Sequence, residues 1–443
     1  MMTQQNPGAR APMLQLSIMM FLQFFIWGSW YLSVSLYMLE HGMGEGRFYA
    51  YTAGPLGAII APFFTGLIAD RFFNTEKVLA ALFFLAGLFM LALPFVAQTE
   101  DSTLFNAVIL AHMLCYMPTL ALTASLSFAH LPRGGEKFPL VRLWGTIGWI
   151  VAGFTLAFLF TRELSDGTTQ MGEVRDAQFW LGGGASVILA FYCLTLPKTP
   201  APKKNEPVNV RDLFFMDAWR QLRSVSFSVF IFGSFIVCIP LAAYYASLQQ
   251  QMDAMGMTHI AAWKNTGTFV EAGMMFLMPF FFRKLGIKWM IVAGIGAWSL
   301  RYVLFALGAT PEGTALVIAG IALHGICYDF FFVTGQVYVD RVTPDSIRGQ
   351  AQSMLIFFTQ GLGLYVGALV TQELAGRAFG ETASNLPEAL PMWPKVWWPL
   401  AIMAAVIMVA FILFFREDEA AEPEALSDRE LGEAEAATEA APR

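Results

Sequence analysis

Of the 443 residues, 56% are hydrophobic and 14% charged, where an ordinary soluble domain carries about 25% charged residues. That imbalance excludes an ordinary soluble enzyme and points to lipid as the solvent for most of the surface. The formal net charge of −6 gathers at one end, since ten acidic residues lie from Glu417 onward. The rest is nearly neutral and lacks the basic excess that nucleic-acid binding requires.

Apolar segments of about 20 residues are long enough to cross a bilayer as helices. Twelve are expected, at 14–39, 49–69, 76–97, 103–128, 140–161, 177–197, 227–250, 260–283, 287–308, 313–338, 347–372 and 394–416. The first run, Met13 to Leu39, is too long for a signal-peptide core and no A-x-A site follows it, so it reads as a retained span. Cys115, Cys193, Cys238 and Cys327 all fall within apolar runs, too far apart for a metal cluster or a disulfide framework, and read as small core residues.

The longest polar gap, Lys198 to Ser226, divides the spans six and six. The expected organisation is an N-terminal bundle over 1–197, a central cytoplasmic loop over 198–226, a C-terminal bundle over 227–416 and an acidic tail over 417–443. With both termini inside, the inner loops hold seventeen Lys and Arg against six outside. The excess of inner basic residues therefore places both termini in the cytoplasm. The tail reads as a solvated segment, and Leu386 to Pro394, with Trp397 and Trp398 after it, as an aromatic belt at the interface.

After the second span, Gly66-Leu-Ile-Ala-Asp70-Arg71 resembles the G-x-x-x-D-R motif of the major facilitator superfamily. A degenerate copy, Arg283-Lys-Leu-Gly286-Ile-Lys288, stands where a duplicated half would put it. Gly66 would allow close helix packing, and Asp70 and Arg71 would latch one conformation through charge pairing.

An ionisable residue in mid-membrane costs at least about 2.5 kcal/mol, so Arg142, Glu271, Arg301 and Asp329, all deep inside spans, invite functional readings. Arg142, Thr146 and Trp149 share one helical face at i, i+4 and i+7, offering a guanidinium, a hydroxyl and an aromatic plate. Glu271 has Thr268 one turn before it and suits a carboxylate that exchanges a proton. On span ten His324 and Tyr328 stack at i and i+4, while Asp329 and Gln336 lie on an adjoining strip. Gln23 sits in mid-span with Trp27 one turn on, and Tyr116 and Pro118 interrupt span four. Each position has a bland reading too: Arg142 snorkelling, Glu271 in an ion pair, His324 as a satisfied core group, and Arg301 in structural pairing. There is no Walker loop, H-E-x-x-H or G-x-S-x-G motif, so a membrane enzyme is the weaker class and no cofactor or metal is expected.

Six blocks in order resemble the bacterial nucleoside permeases, the nucleoside:proton symporters of the major facilitator superfamily. They are Phe21-Leu-Gln-Phe with Trp27-Gly-Ser-Trp30, Tyr116-Met-Pro-Thr-Leu120, Arg142-Leu-Trp-Gly-Thr-Ile-Gly148, Gly286-Ile-Lys288, Ala297-Trp-Ser-Leu-Arg301 and Tyr328-Asp-Phe-Phe331. The resemblance implies an all-α protein of twelve transmembrane helices in two six-helix bundles, with alternating access to a central site. It also implies that Arg142, Thr146, the aromatic at 149, Glu271 and the Tyr328-Asp329 pair line that site. This chain departs from the family at Thr268, in place of a Gln, at His324, in place of a Tyr, and over Ile239 to Tyr245, where amides are expected.

The resulting expectation is a monomeric symporter of a bacterial cytoplasmic membrane that imports nucleosides with protons. Arg142, Thr146, Trp149, Thr268, Glu271, His324, Tyr328, Asp329, Gln23 and Gln336 would bind substrate, Glu271 and Asp329 would couple the proton, and Gly66, Asp70 and Arg71 would form the latch. The alternatives are a permease for a sugar or another polar metabolite, and a membrane receptor or scaffold without flux.

Overall fold

The structure, a computed structural model, describes residues 10–31, 33–43, 46, 49–61, 72–132, 135–159, 162–163, 169–170, 175–201, 216–221, 224–257, 260–380, 382, 384 and 386–417. Gly66, Asp70 and Arg71 lie outside these residues, as does the tail beyond Glu417.

Helices form at the expected places, with ends set by local chemistry. Span four, Ser102–His130, begins where the Asp101 carboxylate accepts from the amides of Thr103 (2.8 Å) and Leu104 (3.1 Å). Span seven, Val225–Ala254, begins where Ser224 accepts from the Phe227 amide. Span five, Phe138–Phe154, has Pro139 in its first turn, where a missing N–H leaves nothing unpaired. Spans three (Thr75–Ala97), six (Ala177–Cys193) and twelve (Pro394–Phe414) are single helices.

Several spans are broken, which hydropathy did not indicate. Span one stops at Gly28 and resumes over Val34–Glu40; of span two, Ala53–Ile60 is helical and residues 62–71 lie outside the described residues. Spans eight and nine form one helical segment, Ile260–Leu307, interrupted at Gly286, whose φ of 71° lies in the left-handed region that glycine tolerates. Span ten runs Thr314–Ala322 and His324–Tyr328, widens into a π-turn over Asp329–Val333, and ends as Thr334–Val342. Span eleven widens likewise over Phe357–Gly363, between Arg348–Ile356 and Leu364–Phe379. Outside the helices, Arg162–Glu163 pairs antiparallel with Thr169–Gln170.

The two halves repeat one packing scheme. Span one packs on five as span seven packs on eleven, and span three lies between four and six as the eight-to-nine segment lies between ten and twelve. Phe95, Phe158, Ile188, Phe191, Phe276, Val406 and Leu413 are exposed around the outside. In water such a belt would be an aggregation surface, and lipid resolves it. The belt expected after residue 386 is corrected in part: Trp398 faces outward, but Trp393 and Trp397 are fully buried. The Trp397 indole donates to Gln251 Oε1 at 2.7 Å, so that ring belongs to the C-terminal core.

Candidate transport site

The site is built by glycines before it is built by polar groups. A Cβ on Gly148 would stand 2.1 Å from the Phe21 carbonyl oxygen, so spans one and five touch backbone to backbone. One turn earlier, Gly145 leaves room for the Phe24 ring and the Arg142 guanidinium, which stack with Cζ 3.7 Å from the ring centroid. In the other half, Gly325 lies against the Glu271 backbone, where an added Cβ would be 2.6 Å from its nitrogen, and Gly267 lies against His324. Spans eight and ten therefore hold Glu271 and His324 side by side.

A cavity between the halves has about 50 Å³ of free volume, and its walls include Gln23, Phe24, Trp27, Arg142, Tyr328, Gln336 and Gln360. That is room for a few waters, so a metabolite-sized solute enters only when the walls separate. Beside the cavity, Thr146 of span five donates to Glu271 Oε1 of span eight at 2.8 Å, a hydrogen bond from one half to the other. A buried hydrogen bond contributes about 0.5–1.5 kcal/mol net, and more where one partner is charged, so this contact helps hold the halves together and must break when they part. Glu271 Oε2 lies 3.8 Å from His324 Nε2, and His324 Nδ1 lies 3.0 Å from Arg301 Nη1.

The expected site residues fall into distinct groups. Gln23, Arg142, Tyr328 and Gln336 line the cavity, and Thr146, Glu271 and His324 form the chain beside it. Trp149 joins an aromatic cluster with Trp27 (5.8 Å between centroids) and Tyr31 (6.3 Å). Thr268 is half-buried one turn before Glu271. The Gln23 side chain is largely engaged by span four, donating to Thr119 (3.0 Å) and accepting from Thr123 (2.9 Å), while its carbonyl accepts from the Tyr116 hydroxyl (2.6 Å). Asp329 opens the π-turn fully buried, and neither carboxylate oxygen has a hydrogen-bond partner among the described residues. Arg142 Nη1 and the Trp27 indole nitrogen are in the same condition. Buried polar groups are rarely left so; of these three, Arg142 and Trp27 line the cavity, and Asp329 follows the lining residue Tyr328. Thr359 and Gln360 of span eleven, lining the cavity beside the π-turn, were not expected, although two polar residues in an apolar run were a visible signal.

Two bundles with the same internal packing, meeting across a cavity of mixed polar and apolar lining, define a secondary transporter of the major facilitator fold. Solved structures agree: the proton:xylose symporter XylE superposes with a TM-score of 0.63 at 12% identity, over 93% of this chain and 98% of that one. Residues 11–420 match the family model described as Nucleoside H+ symporter, and the chain belongs to that family. YegT of Escherichia coli K12 is 35% identical over 412 residues, covering 91% of this chain and 94% of that protein. The crystal structure of the nucleoside transporter NupG superposes with a TM-score of 0.63 at 26% identity, covering 91% of this chain and 99% of NupG. The protein is thus a multi-pass membrane transporter rather than an enzyme.

Proposed function

We propose that this protein, as a single chain, imports a nucleoside together with a proton, with both termini in the cytoplasm and with rigid halves that divide at the 198–226 loop. The observation that carries this reading is the Thr146 to Glu271 hydrogen bond, which joins the halves beside a cavity lined by Arg142 and Tyr328. A carboxylate in that place links proton, substrate and halves: protonation alters what it accepts from Thr146, and a substrate hydroxyl competes for the same oxygen. Tyr328 and Trp149 present aromatic faces for the base, Arg142 and Gln336 present donors, and Asp329 is the second proton-coupling carboxylate. Lipid surrounds the exposed apolar belt.

Uptake of labelled uridine and adenosine into proteoliposomes, with and without an inward proton gradient, tests the reading. Gradient-driven accumulation is expected, and Glu271→Gln is expected to abolish accumulation while the protein still elutes as a folded species. Uptake of neither nucleoside would reject the substrate class, and wild-type accumulation by Glu271→Gln would reject the carboxylate's role.

A further inference from the structure

Arg301 is a deep cation that the transport reading leaves unused. It is fully buried on span nine, and its Cζ lies 3.5 Å from the centroid of the Tyr244 ring. Its Nη1 meets His324 Nδ1 at 3.0 Å, and the chemistry of that contact runs one way. A guanidinium has only donors and stays protonated, so Nδ1 accepts, and a neutral imidazole accepting at Nδ1 carries its proton on Nε2. That nitrogen is the one 3.8 Å from Glu271 Oε2.

The ring has little freedom to do otherwise. It stacks on Tyr244, with centroids 5.3 Å apart and planes 24° apart. Gly267 packs against its Cβ, and Tyr328 lies one turn along the same helix. A second proton on the ring would have to displace Arg301 and place two cations in contact. We propose that Arg301 and His324 form a relay of fixed tautomer, which turns an N–H toward Glu271 at 3.8 Å, beyond a direct hydrogen bond, and extends the Arg301 charge toward it, so that the pair, together with Arg142 and Thr146, adjusts the pH at which the transporter takes its proton. His324 and Arg301 are then positioning residues, and the ring is not itself a proton carrier. The inference rests on Glu271 being the coupling carboxylate.

The charged and titratable groups facing this relay come from every packed element. They are Lys264 and Glu271 on span eight, Tyr302 on span nine beside Arg301, Tyr244 and Tyr245 on span seven, Cys327, Tyr328 and Asp329 on span ten, and Arg142 across the cleft on span five.

The test is the exchange of labelled adenosine or uridine across proteoliposomes held at the same pH on both sides, measured over a range of pH. Arg301→Gln removes the charge and His324→Phe removes both ring nitrogens while keeping a ring. Each makes ionised Glu271 less favourable, and each is expected to move the midpoint up by about one pH unit, tenfold in proton concentration. His324→Gln supplies a carbonyl for Arg301 and an N–H for Glu271, and is expected to restore the wild-type midpoint. A His324→Phe profile that superimposes on wild type, or a His324→Gln profile displaced as far as His324→Phe, overturns the relay. The His324 variants leave the buried guanidinium in place and decide the question even if Arg301→Gln does not fold. Glu271→Gln in the same assay is expected to lose the pH dependence. If it retains it, the coupling assignment of Glu271 fails, which is distinguishable from a failure of the relay.

Discussion

Arg142 and Arg301 show how one residue type takes two roles under the same lipid constraint. Both guanidiniums lie flat on aromatic rings, Phe24 and Tyr244, which lowers the penalty of burying a cation. Arg301 donates from Nη1 to His324 and leaves Nε and Nη2 without a partner among the described residues, away from the cavity lining, whereas Arg142 keeps Nη1 without a partner beside the cavity. Lys cannot reproduce a planar fork on a ring, so Arg142→Lys is expected to lower nucleoside uptake at least tenfold, about 1.4 kcal/mol, with protein yield and elution unchanged. Gln23 tends the other way. Its side-chain amide makes two contacts to span four, so its removal is a stability change, and Gln23→Ala is expected to cost about 1–3 kcal/mol, read as a lower unfolding temperature in detergent. Both residues were legible as polar groups in apolar runs, and their different partners were not, because those partners, Phe24 for Arg142 and Thr119 and Thr123 for Gln23, lie far away in the chain.

Glycine placement decides how closely the spans approach. Gly325→Ala would push a Cβ into the Glu271 backbone, and overpacking of this kind costs roughly 1–3 kcal/mol. That variant is expected to lose both thermal stability and uptake. A Cβ on Gly273, in the same span as Glu271, meets nothing within 4 Å, and Gly273→Ala is expected to be neutral or to stabilise by about 0.5–1 kcal/mol. Thermal unfolding of the two variants side by side checks the contrast. Hydropathy located the spans but not their breaks. The π-turns at Asp329–Val333 and Phe357–Gly363 leave the apolar count unchanged while rotating the helix face, so periodicity drawn on an ideal helix assigns the residues beyond each turn to the wrong face. Trp393 and Trp397 went inward for a related reason: composition indicates an interface but not which side of the helix meets Gln251.

The two halves also touch at two further places. Gly361 of span eleven lies against Ala58 and Ile59 of span two, and Gly135 lies against Val337. A transporter that alternates must separate each pair in turn. Gly361→Ala, whose Cβ would stand 2.9 Å from Ile59 Cγ1 and 3.1 Å from the Ala58 backbone, is therefore expected to lower both uptake and thermal stability, and wild-type uptake by this variant would show that the contact is not tight. The sequence by itself determined the solvent, the number of spans, the six-and-six division, the family and the polar residues that lipid makes conspicuous, because each depends on composition or on local spacing. The tertiary structure alone decided which of those residues meet: Thr146 with Glu271, Glu271 with His324, His324 with Arg301, and Arg142 with an open donor at the cavity. Such contacts depend on the rotation and separation of helices far apart in the chain, which glycine contacts and π-turns set and no local pattern encodes.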